Sequence, residues 1–550
     1  VSILTGSFRR ELGLFQLTMF GFGAILGAGW LFAPAKAAAL AGPAEVFAWV
    51  IAGLMLMTLA LVYAELGSSF PTAGGVAKYS DYSHGPLLGF ITGWSIFLAG
   101  ASYSSLEAVA SAQALSFLFP SLARSGGSSL SPLGVLFAFG LLALFFSLNM
   151  AGVRKVGGFL SGLTLLKMLV PITVLVFVLS AHPSTTAVFS GNFAPSGIAG
   201  VFMAVSAGGI ISTYSGFRQP IDMAAEAKNP RRDIPRAVIY STLISIVLYT
   251  MLGLAFLLTL NWGALGLPIG NWKALTLLRS SPFVDSAAAM GAVWLVAFML
   301  LDSVYSPMGE SGVYFTTSSR VSFAMAEQGY LPKALCDLND NGVPTKALLL
   351  GLALSALFII PFPSWYQMVE VASGLTVITY SMGPVSAAVL RRFGQEGFRV
   401  PLYKALGPAA FAVASLLIYW FGWPYTLYVV GMAMLGLPVY LYFRHEVNEL
   451  MSAAKSAGWY VAYLALMLFI SFAGSSQFGG MNYIRFPMDQ FSVVIAAIAL
   501  YWVGVKSAAP NLPSRFLTTS YRVASGTKRL IKVVVQHRRG RPKAEPGALA

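Results

Sequence analysis

The sequence predicts an all-α integral membrane protein built from two inverted halves, and three observations lead there. Of its 550 residues, 57% are hydrophobic and only 10% are charged, with a mean hydropathy of +0.73. Soluble domains carry about 25% charged residues, so a lipid environment is implied before any motif is read. Apolar stretches of about 17–25 residues, long enough to cross a bilayer, occur fourteen times. Two of them, the first and the sixth, are interrupted at mid-span by small residues, Gly27-Ala28-Gly29 and Ser215-Gly216. The second break comes five spans after the first, an odd step, so the broken helices run through the membrane in opposite directions, as inverted repeats do.

In order, the spans fall near 14–35, 44–67, 86–118, 133–152, 157–180, 198–226, 236–260, 287–326, 345–361, 366–390, 405–421, 424–443, 458–474 and 489–506. This divides the chain into a cytoplasmic N-terminus (1–13), a first inverted repeat with helices 1–5 (14–180) and a second with helices 6–10 (198–391). Helices 11 and 12 (404–444), two extra helices 13 and 14 (457–506) and a basic cytoplasmic tail (507–550) follow. The third and eighth spans are long enough to be tilted or to extend past the headgroups. After the second span, Pro71-Thr72-Ala73-Gly74-Gly75 reads as a plain exit into a loop. The loop 261–286 is expected to pack over an outer vestibule. Helices 13 and 14 read as free of intramembrane charge, which suggests scaffolding or oligomer contacts.

Orientation follows from Lys and Arg. With the N-terminus inside and sides alternating, only Lys36, Arg124, Lys273, Arg279 and Arg485 of the 35 basic residues fall outside, while Lys167 and Arg218 lie within the membrane. That bias satisfies the positive-inside rule and supports an even span count, with both termini cytoplasmic in a plasma membrane. The net charge of +15 is therefore sorted by membrane side and does not indicate nucleic acid; the tail rests near anionic headgroups. No cleavable signal peptide is expected, since Arg9 and Arg10 precede a full-length span. The single cysteine, Cys336, and four scattered histidines exclude a disulfide framework and match no metal-ligand spacing. They also give no nucleophile–base cluster for an enzyme, and no phosphate-binding Gly-rich loop is present. No cofactor or metal is expected; the implied partners are a small substrate, protons and the bilayer.

The candidate site centres on residues 207–236, AGGIISTYSGFRQPIDMAAEAKNPRRDIPR. A freed backbone group in a bilayer is tolerated only beside protein or a water-filled cavity. An intramembrane Arg costs about 2.5–3.5 kcal/mol on insertion scales, so Arg218 should face the interior. The plainer reading is an Arg218–Asp222 pair four residues apart on one helix face. In the first span, N–H groups freed at Gly27-Ala28-Gly29 can hold a carboxylate without a cationic side chain. Lys167, Glu107, Asp302 and Glu310 are the other intramembrane ionisable residues and default to functional candidates. Trp30, Tyr103 and Tyr214 are candidates to line or gate the pocket.

Several stretches, in order over residues 8–445, resemble the amino acid/polyamine/organocation (APC) superfamily of permeases. They are Glu11-Leu12-Gly13-Leu14 with GFGAILGAGWLF, Tyr63-Ala64-Glu65-Leu66 with Pro71 and Gly74-Gly75, and Glu226 through Arg236. Ser319-Arg320 with Gly329-Tyr330-Leu331-Pro332, and Arg399-Val400-Pro401-Leu402-Tyr403, complete the set. The resemblance implies a LeuT-type five-plus-five inverted repeat with two additional C-terminal spans, working by alternating access.

It further implies that a substrate α-carboxylate sits on the amides of Ala28 and Gly29. The amino group would sit on the carbonyls of Ile25, Ser212 and Ser215, with Gly216 in the sixth-helix break. Arg218 stands where several family members have Glu, and the Gly216-Phe217-Arg218-Gln219 stretch resembles a subgroup that includes proton-coupled aspartate transporters. Two readings of Arg218 stay open: a bidentate partner for an acidic side chain, or a gate paired with Asp222, Glu107 or Asp302. The resemblance also implies that Lys167, as a fifth-helix lysine, takes the place that a sodium ion has in other relatives. There an ammonium removed from water can release and regain a proton, with Glu310 as a candidate neighbour; snorkelling towards the cytoplasmic face is the alternative. The expectation is a secondary active, proton-coupled permease favouring acidic amino acids. The alternatives are an exchanger of neutral or cationic amino acids and a non-transporting sensor.

Overall fold

The first predicted span is two helices rather than one. In the computed structural model, which describes residues 10–125, 128–151, 153–180, 192–278, 280–340, 342–393, 397–443 and 447–510, α1 covers Leu14–Gly23 and α2 covers Gly29–Ala41. The backbone is unwound between them, and α2 runs past the expected boundary at 35. The sixth span is likewise divided into α8 (Gly197–Ser206), α9 (Ile210–Thr213), a 3₁₀ turn at Ser215–Arg218 and α10 (Gln219–Asp222). It bends by 48° at the predicted break. Small residues at both places leave the helical ladder without packing side chains to hold it straight.

The remaining elements of the two repeats are α3 (Glu45–Ser69), α4 (Gly75–His84), α5 (Pro86–Leu115), α6 (Pro132–Ser147) and α7 (Val153–Ser180) before the sixth span. After it come α11 (Pro230–Thr259), α12 (Pro282–Ala289), α13 (Val293–Glu327), α14 (Thr345–Ile359) and α15 (Trp365–Leu390). The chain continues with α16 (Tyr403–Tyr419), α17 (Tyr425–Met434), α18 (Leu437–Phe443), α19 (Val447–Ala473) and α20 (Met488–Lys506). The described residues form no strand. Eight helical segments among them are long and apolar enough to cross a membrane, or nine when the bent sixth span counts as one. With 35 residues, α13 is about 50 Å long and exceeds the hydrocarbon core of about 30 Å, as expected for the eighth span.

Burial sorts the helices into an interior and a rim. The most apolar windows of α5 and α15 are 89% and 94% buried, against 33% for α20. A helix apolar all round belongs inside the bundle, whereas one buried on a third of its surface faces lipid. The ionisable residues of interest lie on α5, on α13, at the two breaks and on the buried face of α7, whose apolar window is 39% buried.

Two expectations need correction. The stretch after Gly74 is not a loop: α4 forms there and every one of its residues is buried. Its Lys78, Asp81 and His84 are each satisfied internally. Lys78 pairs with Glu327 at 2.6 Å, Asp81 accepts from Tyr330 at 2.6 Å, and His84 Nε2 lies 2.9 Å from the Gly504 carbonyl. Helix α20, read as free of charge, begins with buried Asp489, which accepts from the Tyr419 hydroxyl at 2.6 Å. The extra helices are thus fastened to the bundle by polar contacts, including Tyr460 on Ser381 and Tyr463 on Ser415.

The long loop packs down on α2. Ser281 Oγ donates to the Leu31 carbonyl at 2.7 Å, and the Phe283 ring meets Trp30 edge-on at 5.4 Å. Arg9, Arg279 and the tail from 511 onwards lie outside the described residues, as do the side chains of Arg154 and Lys155.

Candidate functional site

The two broken helices touch at Gly216. A methyl group there would come within 2.6 Å of the Ala24 carbonyl carbon and the Ile25 nitrogen, so only glycine lets the sixth-helix break rest on the first. At Gly27 a methyl group would meet carboxylate oxygens of both Glu107 and Glu310. The unwound segment is therefore pressed between the sixth span on one side and two acidic side chains on the other. The two carboxylate oxygens lie within about 4 Å of each other.

Each carbonyl assigned to the amino group already receives a tyrosine hydroxyl. Tyr249 donates to Ile25 O at 2.8 Å, Tyr103 to Ser212 O at 3.4 Å, and Tyr380 to Ser215 O at 3.1 Å. Ser212 Oγ also donates back to Tyr103 at 3.0 Å. A carbonyl has two lone pairs, so each can accept a second donor from an ammonium group. The tyrosines hold the break in shape without consuming its capacity. Tyr249 and Tyr380 are functional candidates that hydropathy does not reveal, because a tyrosine in an apolar helix usually just packs. Tyr214, by contrast, sits in an aromatic cluster with Trp49 and Tyr249, with ring centroids 5.6 Å from each.

The amide assigned to the carboxylate is also engaged. Ala28 N–H donates to Glu107 Oε2 at 2.8 Å. It carries one proton, so a ligand carboxylate at Ala28 must compete with Glu107. Nearby, Lys167 is wholly buried and donates to the Gly23 carbonyl, the last of α1, at 2.8 Å. It turns inward instead of snorkelling, and its charged neighbours are Glu310, Glu107 and Asp302. Asp302 holds the Trp30 indole N–H at 2.9 Å. Sequence reasoning linked only Glu310 to Lys167; the fold brings Glu107 and Asp302 to the same break.

Arg218 lies at the other break, 2% exposed. Its Nε is 3.1 Å from Asp222 Oδ2, the pairing expected from their spacing. The contact is ionic and not a directed hydrogen bond. Arg218 Nη1 and both Asp222 oxygens have no directed partner among the described residues. Tyr380, Tyr314 and Tyr103 are its other electrostatic neighbours. Tyr103 and Tyr314 stack at 4.4 Å, and the Tyr314 hydroxyl is also without a partner among the described residues. An incoming carboxylate at this guanidinium would have to replace its buried contact with Asp222.

Both ends of the site are tied by ion pairs. On the side of the basic turn, Glu226 binds Arg320 at 3.1 Å. Glu65 receives Arg391 Nη2 and the Val400 N–H, each at 2.8 Å. Leu12 bridges to the same turn through Leu12 N–H to Glu226 O at 3.0 Å and Lys228 N–H to Leu12 O at 2.8 Å. On the opposite side Lys36 of α2 binds Glu370 of α15 at 2.6 Å.

Comparison with known proteins agrees with this architecture. Residues 12–522 match the amino acid permease family. The chain is 36% identical to a glutamate/serine transporter of Bacillus subtilis (strain 168), over 94% of this chain and 99% of that protein. It is 34% identical to an aspartate–proton symporter of the same organism, over 92% of this chain and 98% of that protein. A branched-chain amino acid permease, again from B. subtilis (strain 168), is 26% identical over 81% of this chain and 95% of that protein. With a family match and two such relatives spanning nearly its whole length, this multi-pass membrane protein belongs to the amino acid permease family.

Proposed function

We propose that the chain is a secondary active permease that imports acidic amino acids together with protons. The observation that carries this reading is Arg218, a buried guanidinium at the sixth-helix break with an unpartnered donor and only an ionic contact to Asp222. Its planar fork matches a carboxylate in bidentate fashion. The α-carboxylate takes the Ala28 and Gly29 amides in exchange for Glu107, and the ammonium takes the remaining lone pairs on Ile25, Ser212 and Ser215. The side-chain carboxylate then takes Arg218 in exchange for Asp222. The names of the two most alike relatives reported above support the same substrate class. Serine fits as a second substrate, because Asp222 can stay on Arg218 while a small uncharged side chain is bound.

Proton coupling falls to Lys167, Glu107 and Glu310. Two like charges no more than about 4 Å apart repel by about 4 kcal/mol or more at an effective dielectric of 20. Lys167 offsets one carboxylate and a proton offsets the other, so displacing Glu107 from Ala28 ties proton occupancy to substrate. The same reading includes fourteen spans in a five-plus-five inverted repeat plus four, with both termini on the basic, cytoplasmic side of a plasma membrane. It is supported by the helix ranges and by the distribution of Lys and Arg.

The test is uptake of labelled aspartate into proteoliposomes under an imposed inward proton gradient without sodium. Gradient-driven uptake competed by glutamate and serine, but not by lysine, is the expected result. Uptake that requires sodium, or that lysine competes as well as glutamate, overturns it.

A further inference from the structure

A substrate carboxylate that takes Arg218 leaves the Asp222 carboxylate to be held elsewhere, and helix α4 begins beside it. The Gly74 N–H donates to the Asp222 carbonyl at 3.1 Å, which ties the end of the sixth span to the start of α4. Gly74 is the N-cap of α4, in the left-handed region at φ 60°, and supplies no side-chain cap. No other residue could supply one there. A methyl group at Gly74 would meet the Arg320 carbonyl oxygen at 2.9 Å and the Ala324 side chain at 3.0 Å, both on α13. The N–H groups of Gly75 and Val76, in the first turn, have no acceptor within the helix. The Asp222 carboxylate faces the Val76 N–H but stays outside directed hydrogen-bond geometry.

A second donor is aimed at the same place. Long side chains on a helix lean back over the turn before them. Tyr79, four residues after Gly75, does so: a methyl group at Gly75 would lie 2.5 Å from the Tyr79 hydroxyl oxygen. Tyr79 is 1% exposed, and its hydroxyl has no hydrogen-bond partner among the described residues. Its charged neighbour is Asp222. A buried hydroxyl without a partner is costly and calls for an explanation. A partner that arrives only when substrate is bound supplies one.

We propose that the start of α4, with the Val76 N–H and the Tyr79 hydroxyl as donors, is the seat that receives the Asp222 carboxylate when a substrate carboxylate takes Arg218. A helix N-terminus holds an anion without a cationic side chain, so the whole guanidinium fork is left to the ligand. Asp222 already reaches both places, with Oδ2 3.1 Å from Arg218 Nε and the carboxylate facing Val76. Tyr79 acts on the substrate through Asp222. It is a positioning residue that sets the preference between acidic and neutral amino acids. With serine bound, Asp222 stays on Arg218 and the seat is unused; with aspartate bound, the seat is filled. The inference rests on the acidic-amino-acid reading of the central site.

The experiment is uptake kinetics for labelled aspartate and serine in proteoliposomes, for the wild type, Tyr79→Phe, Asp222→Asn and the double variant. Thermal midpoints of the ligand-free, full-length proteins are read alongside. Tyr79→Phe removes a hydroxyl that has no partner in the ligand-free protein, so its midpoint should equal or exceed the wild type's. Its aspartate KM should rise about tenfold, as for the loss of one charge-assisted hydrogen bond, with its serine KM unchanged. Asp222→Asn has no carboxylate to seat, so adding Tyr79→Phe to it should change the aspartate KM by less than about twofold. If Asp222→Asn does not fold, the split between aspartate and serine in Tyr79→Phe decides alone. Aspartate and serine KM values that both stay at wild type in Tyr79→Phe, or rise equally, overturn the seat. A full tenfold effect of Tyr79→Phe on the Asp222→Asn background overturns it as well. In each case the reading of the central site stands if Arg218→Gln raises the KM for aspartate alone. Equal effects of Arg218→Gln on both substrates overturn that reading and the seat together.

Discussion

Replacing Glu107 by Gln separates binding from proton coupling. The Gln carbonyl can still accept from the Ala28 N–H, now at 2.8 Å from Glu107 Oε2, so the break keeps its shape. A neutral acceptor in place of a charged one weakens that bond by about 1 kcal/mol. Against this, the repulsion from the Glu310 carboxylate disappears, which for two ionised groups no more than about 4 Å apart is about 4 kcal/mol or more in an effective dielectric of 20. The variant should therefore fold with a thermal midpoint equal to or above the wild type's. Transport should change in one respect only. For one proton carried with each aspartate, one pH unit supplies 1.36 kcal/mol, or about tenfold accumulation. Glu107→Gln should keep aspartate counterflow between preloaded vesicles but accumulate no more than about onefold under the same gradient. The assay is labelled aspartate in proteoliposomes, scored for counterflow and for gradient-driven accumulation in parallel. Tenfold accumulation retained by Glu107→Gln would refute the exchange of Glu107 for substrate at Ala28 as the coupling step.

Three further outcomes follow from the same geometry. Arg218→Lys replaces a fork by a point charge and should raise the KM for aspartate by about tenfold or more while leaving serine uptake near wild type; equal losses for both substrates would make Arg218 a structural gate. Gly216→Ala forces a methyl group against the Ala24–Ile25 backbone, an overpacking worth about 1–3 kcal/mol, and should lower both the thermal midpoint and counterflow; unchanged values of both would show that the breaks do not need this contact. Asp285, outside the spans, is pushed by burial from 3.8 up to about 6, with the Ser280 hydroxyl opposing. The folded protein thus holds this proton more tightly than the unfolded chain does. The stabilisation is complete below pH 3.8 and is lost as the pH rises through about 6. Asp285→Asn should flatten that part of the thermal-midpoint profile in detergent, and an unchanged slope would assign it to another group.

Hydropathy and breakers make both broken helices legible because lipid removes the alternatives: a gap in an apolar span has to be protected by protein. The family-like stretches are legible for a different reason, which only the fold shows. Glu226 and Arg320 come from two of those stretches and form one ion pair, and Glu65 joins another two through Val400. What sequence does not reveal is which side chain satisfies which freed backbone group. Tyr249 is 224 residues from Ile25, Tyr380 is 165 from Ser215, and Glu107 is 79 from Ala28. Nothing local marks a tyrosine as a donor to a distant break. Helix α4 and Asp489 escape notice for the opposite reason, since polar residues that look exposed are satisfied inside the bundle.

This division has a mechanistic consequence. A break whose amides and carbonyls were simply bare would bear a large desolvation cost without ligand, of about 1–3 kcal/mol for each unsatisfied group. Here Glu107 covers an amide, Tyr249, Tyr103 and Tyr380 cover carbonyls, and Asp222 lies beside Arg218. The carbonyls retain a second lone pair and need no displacement, but the amide and the guanidinium must exchange a resident carboxylate for an incoming one. On the proposed reading, discrimination falls on the two exchanges. A ligand with one carboxylate completes only the exchange at Ala28, whereas a ligand with two completes both, which releases Asp222 as well as Glu107. On the proposed reading, serine and aspartate would be distinguished by the number of the protein's own carboxylates set free, and charge balance at the first break would link that release to the proton.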